Sequence, residues 1–130
     1  MILGTGIDVA TIIRVERVLE AHRAELPRIF TARERAVCDR APAGRRAAQY
    51  AGAFAGKEAV MKALGTGWRS DVTWCDIDTQ PDDGCGEAVL LAGALHAART
   101  QGISRVLVSV SLTREAAVAT AVAEGDGCHG

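Results

Sequence analysis

The stretch Phe54–Gly67 constrains the fold of this 130-residue chain most, because it combines the pattern of a packed helix with a definite end. Met61 and Leu64 supply apolar contacts at helical spacing, and the alanines between them allow close packing. Gly65 follows at a position where helices commonly stop. The sequence therefore predicts a long alanine-rich helix that opens at Arg45 and ends near Leu64.

Both lysines of the chain, Lys57 and Lys62, lie in this stretch, whereas positive charge elsewhere comes from thirteen arginines. Glu58 and Lys62 are four residues apart and share one helical face. A compact ammonium beside a carboxylate and a glycine-rich loop is typical of a phosphate or metal–phosphate site. The alternative is a Glu58–Lys62 surface pair that contributes only about 0.2–0.5 kcal/mol. The spacing alone leaves both interpretations open.

The segment Ile2–Val9 reads as a short buried strand, and its glycines at positions 4 and 6 allow another backbone to come close. Asp8 interrupts this apolar run, and a buried carboxylate is costly unless it is paired or binds a cation. A helix N-cap is the alternative role for Asp8. If the strand packs along the long helix, Asp8 meets Glu58.

The remaining pattern indicates an α+β fold with helices grouped early and an antiparallel sheet late. Thr31 and Glu34 form a capping box at the start of a helix that runs to about Arg40. Further predicted elements are a helix rich in apolar residues after Val9, a hairpin of Val72–Asp78 with Cys85–Leu90 around a turn at Pro81–Gly84, a helix over Gly93–Thr100, and paired strands over Arg105–Ser111 and Ala116–Ala123.

The length, composition and charge of the chain indicate its domain organisation and the partners it could bind. We expect a single domain over residues 1–124 and a flexible glycine-rich tail over residues 125–130. A net charge of -1 gives no indication of a nucleic-acid or membrane partner. Nine arginines against five acids between Arg14 and Arg46 indicate either a solvated face or a docking face for an acidic macromolecule.

The cysteines show no metal-ligand spacing, and no signal peptide precedes the first strand. We interpret the four cysteines as free thiols of a cytoplasmic protein. A bridge between Cys75 and Cys85 is the alternative, and it would need an oxidising compartment.

Asp8, Glu58 and Lys62 are the candidate site that remains once other chemistry is considered. The chain has no phosphate-binding P-loop motif and no arrangement typical of a serine hydrolase. Two carboxylates with open positions suit Mg²⁺, which takes its other ligands from water and substrate phosphates. A lysine one helical turn away can bind a phosphate oxygen.

Several motifs, in this order and at this spacing, resemble the holo-acyl-carrier-protein synthase family, the small 4′-phosphopantetheinyl transferases. The strand-end aspartate and the lysine–glutamate helix are specific only in combination. The motifs are Gly6-Ile7-Asp8-Val9 with Arg14, Phe30-Thr31-x-x-Glu34, Phe54-Ala55-x-Lys57-Glu58-Ala59-x-x-Lys62-Ala63-x-Gly65-x-Gly67, Asp76-Ile77 and Val108-Ser109-Val110-Ser111-x-Thr113.

The resemblance implies a phosphopantetheinyl transferase fold, with a distorted antiparallel sheet packed on a long helix. It implies transfer of the phosphopantetheine arm of coenzyme A to a serine of an apo carrier protein, with release of 3′,5′-ADP. Asp8 and Glu58 match the Mg²⁺ ligands of the family, and Glu58 is also the nearest candidate base. Lys62, Gly65 and Thr113 fall at the coenzyme A site.

The resemblance also implies partners. Arg14 and Arg17 belong to the surface that receives an acidic apo acyl carrier protein, and the family assembles as a homotrimer with active sites at subunit interfaces. Leu112 departs from the pattern, because the family usually has histidine there, and a leucine neither donates a hydrogen bond nor accepts a proton. The alternative function is therefore a degenerate, non-catalytic member that binds coenzyme A or the carrier protein.

Overall fold

One long helix, packed across an antiparallel sheet, organises the molecule. The computed structural model describes residues 1–66, 71–79 and 85–127. The helices are α1 (Ile12–Ala21), α2 (Leu26–Ile29), α3 (Ala32–Asp39), α4 (Arg46–Leu64) and α5 (Ala92–Thr100). The strands are β1 (Ile2–Thr11), β2 (Ile77–Asp78), β3 (Cys85–Glu87), β4 (Val89–Leu90), β5 (Ile103–Leu112) and β6 (Ala116–Gly125). The mixture of helices with an antiparallel sheet confirms the α+β prediction.

The main sheet has the strand order β1-β6-β5-β3, with antiparallel pairing throughout. Register shifts between Ile2 and Gly4 and between Ile103 and Arg105 distort it at the same end. The face toward α4 is made of small residues on β6, which are all buried: Ala117, Ala119, Ala121 and Ala123. Such a flat surface lets α4 pack closely against β1, β5 and β6.

β1 and α4 approach each other very closely, and this approach requires the two glycines of β1. A methyl group added at Gly4 would lie 2.0 Å from the carbonyl oxygen of Ala63, and one added at Gly6 would lie 2.0 Å from that of Ala59. The prediction that these glycines allow another backbone to come close is thus confirmed. This approach brings Asp8, two residues beyond Gly6, to the side of α4.

The prediction that β1 is buried is wrong. β1 is an edge strand, and its face away from α4 is open, with Ile7 and Val9 each 59% exposed. β1 also continues to Thr11, which is the N-cap position of α1, so Asp8 is not a helix cap.

The prediction of a strand over Val72–Asp78 is largely wrong, since only Ile77–Asp78 forms β2. The preceding residues Trp74–Asp76 form a 3₁₀ turn because Thr73 and Asp76 make a capping box, with the Thr73 N–H 3.1 Å from Asp76 Oδ2. This local hydrogen bonding competes with the extended conformation that the β-branched and aromatic residues favour.

The predicted return strand Cys85–Leu90 is divided in two. β4 pairs with β2 in a separate two-stranded sheet, whereas β3 joins β5 at the edge of the main sheet. The turn expected at Pro81–Gly84 lies outside the described residues. The helices α3, α4 and α5 and the β5–β6 pair lie where the sequence predicted them, although β5 and β6 are each longer than expected.

The end of the chain continues the sheet as far as the structure describes it. Gly125 is the last residue of β6, and its N–H donates to the carbonyl of Met1. The Gly127 N–H donates to the carbonyl of Gly102 at 3.2 Å. Residues 128–130 of the expected tail lie outside the described residues. In the part of the chain that is described, no helix has the length and apolar character needed to cross a membrane.

Candidate active site at the junction of β1 and α4

Lys62 on α4 and Asp8 on β1 are joined directly. The Lys62 ammonium nitrogen lies 3.0 Å from Asp8 Oδ1 and donates a second hydrogen bond, at 2.9 Å, to the carbonyl oxygen of Ile7. The Lys62 side chain is 52% exposed and that of Asp8 is 19% exposed, so the pair stands at the surface of the junction. The ion pair of Lys62 is therefore with Asp8 on the neighbouring strand rather than a surface pair with Glu58.

Glu58 lies one helical turn before Lys62 and is partly buried. Burial raises the pKa of the Glu58 carboxyl above its usual value, the neighbouring carboxylate of Asp8 raises it further, and Lys62 lowers it. The packing of Gly6 against Ala59 brings the two carboxylates to the same junction, since Asp8 lies two residues after Gly6 and Glu58 lies next to Ala59. The structure thus brings together the three residues that the sequence singled out.

The chemistry of these donors fits a hard divalent cation. Two neighbouring carboxylates that repel one another are a suitable pair of ligands for Mg²⁺, which prefers oxygen donors. Among the described residues there is no group of three or more His, Cys, Asp or Glu side chains that could hold a metal ion. An ion at Asp8 and Glu58 would therefore take its other ligands from water or from a bound phosphate.

Gly65 ends α4 as the sequence predicted, and it does so in the left-handed conformation, with φ of 69°. Its N–H donates to the carbonyl of Lys62 at 3.1 Å, so the chain turns beside the candidate site. The next residue, Thr66, is buried, and its hydroxyl has no hydrogen-bond partner among the described residues. Sequence reasoning did not identify Thr66, because an unsatisfied hydroxyl is visible only in three dimensions.

Thr113 and Leu112 lie where β5 turns into β6, and Leu112 pairs with Ala117, two residues along β6 from the Ala119 that pairs with Asp8. The Thr113 hydroxyl accepts hydrogen bonds from the N–H groups of Glu115 and Ala116 and so shapes the turn. Leu112 is the last residue of β5, and its side chain lies over Gly52 of α4. Neither residue makes a hydrogen bond to Asp8, Glu58 or Lys62 in the described part of the chain.

Arg14 and Arg17 are exposed on α1, and Arg14 lies at the rim of an apolar groove. The groove has a volume of about 240 Å³ and lies between the end of β1, α1 and the chain around Phe30. Its apolar lining includes Val15, Val18, Phe30 and Phe54. The groove combines apolar walls with a positive rim.

Lys57, which the sequence singled out with Lys62, lies elsewhere. Its ammonium forms an ion pair with Glu34 at 2.7 Å, and both side chains are fully buried. Breaking such a buried pair by removing one partner costs about 3–5 kcal/mol. The capping-box pattern pointed to Glu34 as a helix cap, but nothing in the sequence indicated its pairing with Lys57, because the two residues are far apart in the chain.

Comparison with known protein families agrees with the resemblance that the sequence motifs indicate. The family model of the 4′-phosphopantetheinyl transferase superfamily matches residues 4–121. A holo-[acyl-carrier-protein] synthase of Anaeromyxobacter dehalogenans is 41% identical over 131 residues, covering 98% of this chain and 99% of the relative. The enzyme of the same name from Desulforudis audaxviator is 43% identical over 129 residues, covering 96% of this chain and 95% of the relative.

Solved structures of similar proteins have the same fold. The holo-(acyl-carrier-protein) synthase of Bacillus anthracis, solved in complex with CoA (3′,5′-ADP), is 31% identical with a TM-score of 0.72 over 97% of this chain and 99% of that chain. The holo-[acyl-carrier-protein] synthase of Neisseria meningitidis is 33% identical with a TM-score of 0.75 over 95% of this chain and 99% of that chain.

Proposed function

The chain belongs to the 4′-phosphopantetheinyl transferase superfamily, and we propose that it transfers the 4′-phosphopantetheine arm of coenzyme A to a serine of an apo acyl carrier protein through Asp8, Glu58 and Lys62. The reaction releases 3′,5′-ADP. The observation that carries this assignment is the meeting of two carboxylates and a lysine where β1 packs on α4.

Asp8 and Glu58 would hold the Mg²⁺ ion. When bound, the ion supplies charge stabilisation to the phosphoryl oxygens at which negative charge develops during attack on the diphosphate. A carboxylate has two oxygens, so Glu58 can bind through one and accept the proton of the carrier serine at the other. Before an ion binds, the raised pKa of Glu58 makes its carboxylate a better proton acceptor than that of an ordinary glutamate.

Lys62 holds a phosphate oxygen of coenzyme A. Two of its three ammonium donors are used on Ile7 and Asp8 within the described residues, which leaves one donor for a ligand. The backbone turn at Gly65 lies beyond the end of the same helix, as does the Thr66 hydroxyl, which has no partner among the described residues, and both would extend this site. Thr113 completes the coenzyme A site only if the exposed β5–β6 turn meets the cofactor, since its hydroxyl already serves that turn.

The carrier protein docks on α1. Arg14 and Arg17 present positive charge to an acidic carrier helix, and the groove beside Arg14 offers apolar contact area. The groove includes Val9 and Ala10, which follow Asp8 on β1. A helix bound there places its serine near the metal site.

The open face of the sheet supports assembly as a homotrimer with sites at the subunit interfaces. On this face the exposed Ile7 and Val9 pair with Thr120 and Val118 of β6, and Leu107 pairs with Val122. A two-layer domain with such a row of apolar residues on its uncovered side is suited to self-association. Asp8 lies between Ile7 and Val9 on β1, so a neighbouring subunit on this face would lie close to the site.

No observation favours the alternative of a non-catalytic binder. Leu112 leaves the carboxylates and Lys62 intact, and the relatives and solved structures described above are named as synthases. We also propose a cytoplasmic location. Among the described residues, Cys38 and Cys75 are free thiols, as that proposal expects.

The test is incubation of the protein with coenzyme A, Mg²⁺ and an apo acyl carrier protein, followed by mass spectrometry of the carrier. We expect a mass gain of one phosphopantetheine arm and the appearance of 3′,5′-ADP. Binding of coenzyme A with no mass gain would refute the transferase assignment and support the non-catalytic alternative. A parallel reaction with a chelator shows whether the transfer requires a divalent cation.

A further inference from the structure

The buried ion pair of Glu34 and Lys57 has all of its polar atoms engaged. Besides Glu34, the Lys57 ammonium donates to the carbonyl oxygens of Trp74, at 2.8 Å, and Ile77. Glu34 accepts from the N–H of Thr31 at 2.9 Å through one oxygen, and from the N–H and hydroxyl of Thr79, at 3.0 and 2.8 Å, through the other. Neither side chain has a free donor for a ligand, so the pair acts through the segments that it joins.

These segments carry the two aromatic walls of the groove beside Arg14. On one side, Glu34 closes the capping box on Thr31, and Phe30, the residue before Thr31, lines the groove. On the other side, Lys57 holds the backbone of Trp74, whose ring packs on that of Phe54 with centroids 5.1 Å apart. Phe54 lines the groove directly.

We infer that Glu34 and Lys57 are positioning residues that set the separation of Phe30 and Phe54, and thereby the affinity of the groove for the carrier protein. This inference rests on the proposed docking function of the groove. The pair links α3, α4 and the segment Thr73–Thr79. A buried, fully hydrogen-bonded network of this kind fixes one arrangement of its segments.

The test is a double variant, Glu34→Gln with Lys57→Met, which removes both charges together and leaves no unpaired ion in the interior. We expect the apo acyl carrier protein to bind about tenfold more weakly, since one charge-assisted network no longer holds the two walls. Coenzyme A should bind as it does to the wild type, because Lys62 and Gly65 are unchanged. Both dissociation constants are measured by calorimetry on the folded protein, and wild-type carrier affinity in a folded double variant would overturn the inference.

A milder variant decides the matter if the double variant does not fold. Thr79→Val removes the hydroxyl that donates to Glu34 but keeps the methyl group that lies against Gly56. It should weaken carrier binding about threefold, in line with the loss of one hydrogen bond. Val106→Ala, in the core of the sheet, is the matched control: it lowers the melting temperature with no change in carrier affinity. If Val106→Ala weakens carrier binding as much as Thr79→Val does, loss of stability explains the result and the inference fails.

A readout that needs no carrier separates this inference from the docking proposal. Nuclear Overhauser contacts between the rings of Phe54 and Trp74 show directly whether the Phe54 wall of the groove keeps its position. If the wild type binds no carrier, the docking proposal fails, but loss of these contacts in Thr79→Val or the double variant still supports the positioning role. Full retention of the contacts in both variants would overturn it.

Discussion

The ammonium nitrogen of Lys62 on α4 lies 3.0 Å from Oδ1 of Asp8 on β1. The two elements that form the candidate site are therefore joined by an ion pair between two residues of that site. Because the Lys62 side chain is 52% exposed, solvent screening limits such a pair to about 0–1 kcal/mol. The pair is therefore too weak to hold β1 on α4. We therefore propose that Asp8 and Lys62 separate when a cation binds Asp8 and a phosphate binds Lys62.

Glu58→Gln should abolish transfer and leave the fold intact. The amide keeps the shape of the side chain but loses the charge that would hold the ion and accept the serine proton. We expect transfer to fall by at least about a hundredfold, because a bound metal contributes several kcal/mol to the transition state. Glu20→Gln, an exposed acid on α1, is the control and should retain activity. Near-normal transfer by Glu58→Gln would refute its role as ligand and base.

The Mg²⁺ requirement should depend on pH in a defined direction. Because the pKa of Glu58 is raised, this carboxyl takes up a proton at a higher pH than an ordinary glutamate does. Protons compete with a metal for the same oxygens. The Mg²⁺ concentration for half-maximal activity should therefore rise as the pH is lowered from about 8 to about 5. A requirement that is constant over this range would show that Glu58 does not hold the ion.

How much of this site was predictable depends on how local its interactions are. The capping box of Thr31 and Glu34 and the end of α4 at Gly65 are decided within a few residues, and both predictions are confirmed. The approach of β1 to α4 was predictable from Gly4 and Gly6, because only glycine permits it. These local signals were enough to place Asp8 beside α4.

The wrong predictions came from local sequence patterns whose preferred structure is overridden by other interactions in the folded chain. The β-branched and aromatic residues after Asp71 favour a strand, but Thr73 and Asp76 hydrogen-bond locally and form a turn instead. β1 reads as buried because it is apolar, whereas its outer face is open in the single chain. The Glu34–Lys57 pair depends on how α3 meets α4, and no short pattern in the sequence contains that information.

Gly6→Ala tests whether the close packing of β1 on α4 is what forms the site. The added methyl group would lie 2.0 Å from the carbonyl oxygen of Ala59, so β1 must move away from the helix. Overpacking of this kind costs about 1–3 kcal/mol. We expect a lower melting temperature and a larger Mg²⁺ requirement, because Asp8 moves with β1. Gly44→Ala is the control, since nothing lies within 4 Å of a methyl group there. An unchanged Mg²⁺ requirement in Gly6→Ala would show that the site does not depend on the close packing of β1 on α4.

Arg14→Glu should weaken the interaction with the carrier and spare coenzyme A. Reversing a charge at the rim of the groove replaces attraction by repulsion toward an acidic helix. The KM for apo acyl carrier protein should rise by about tenfold at low salt and by less at high salt, where exposed charges are screened. The KM for coenzyme A should stay the same. Arg99→Glu on α5 is the matched control for net charge. An equal effect of both variants would show that overall charge, not α1, attracts the carrier.

Val9→Glu tests the role of the open sheet face. Val9 is 59% exposed in the single chain and pairs with Val118, so a glutamate there meets water in the monomer and adds little strain. In a trimer that buries this face, three carboxylates would be brought toward an apolar interface, which is strongly unfavourable. We expect the wild type to sediment as a trimer and Val9→Glu as a folded monomer. Sedimentation is the readout, because Val9 also lines the groove proposed for the carrier. Val89→Glu on β4, also exposed, is the control and should stay assembled. A Val9→Glu protein that remains trimeric would place the subunit contacts on another face.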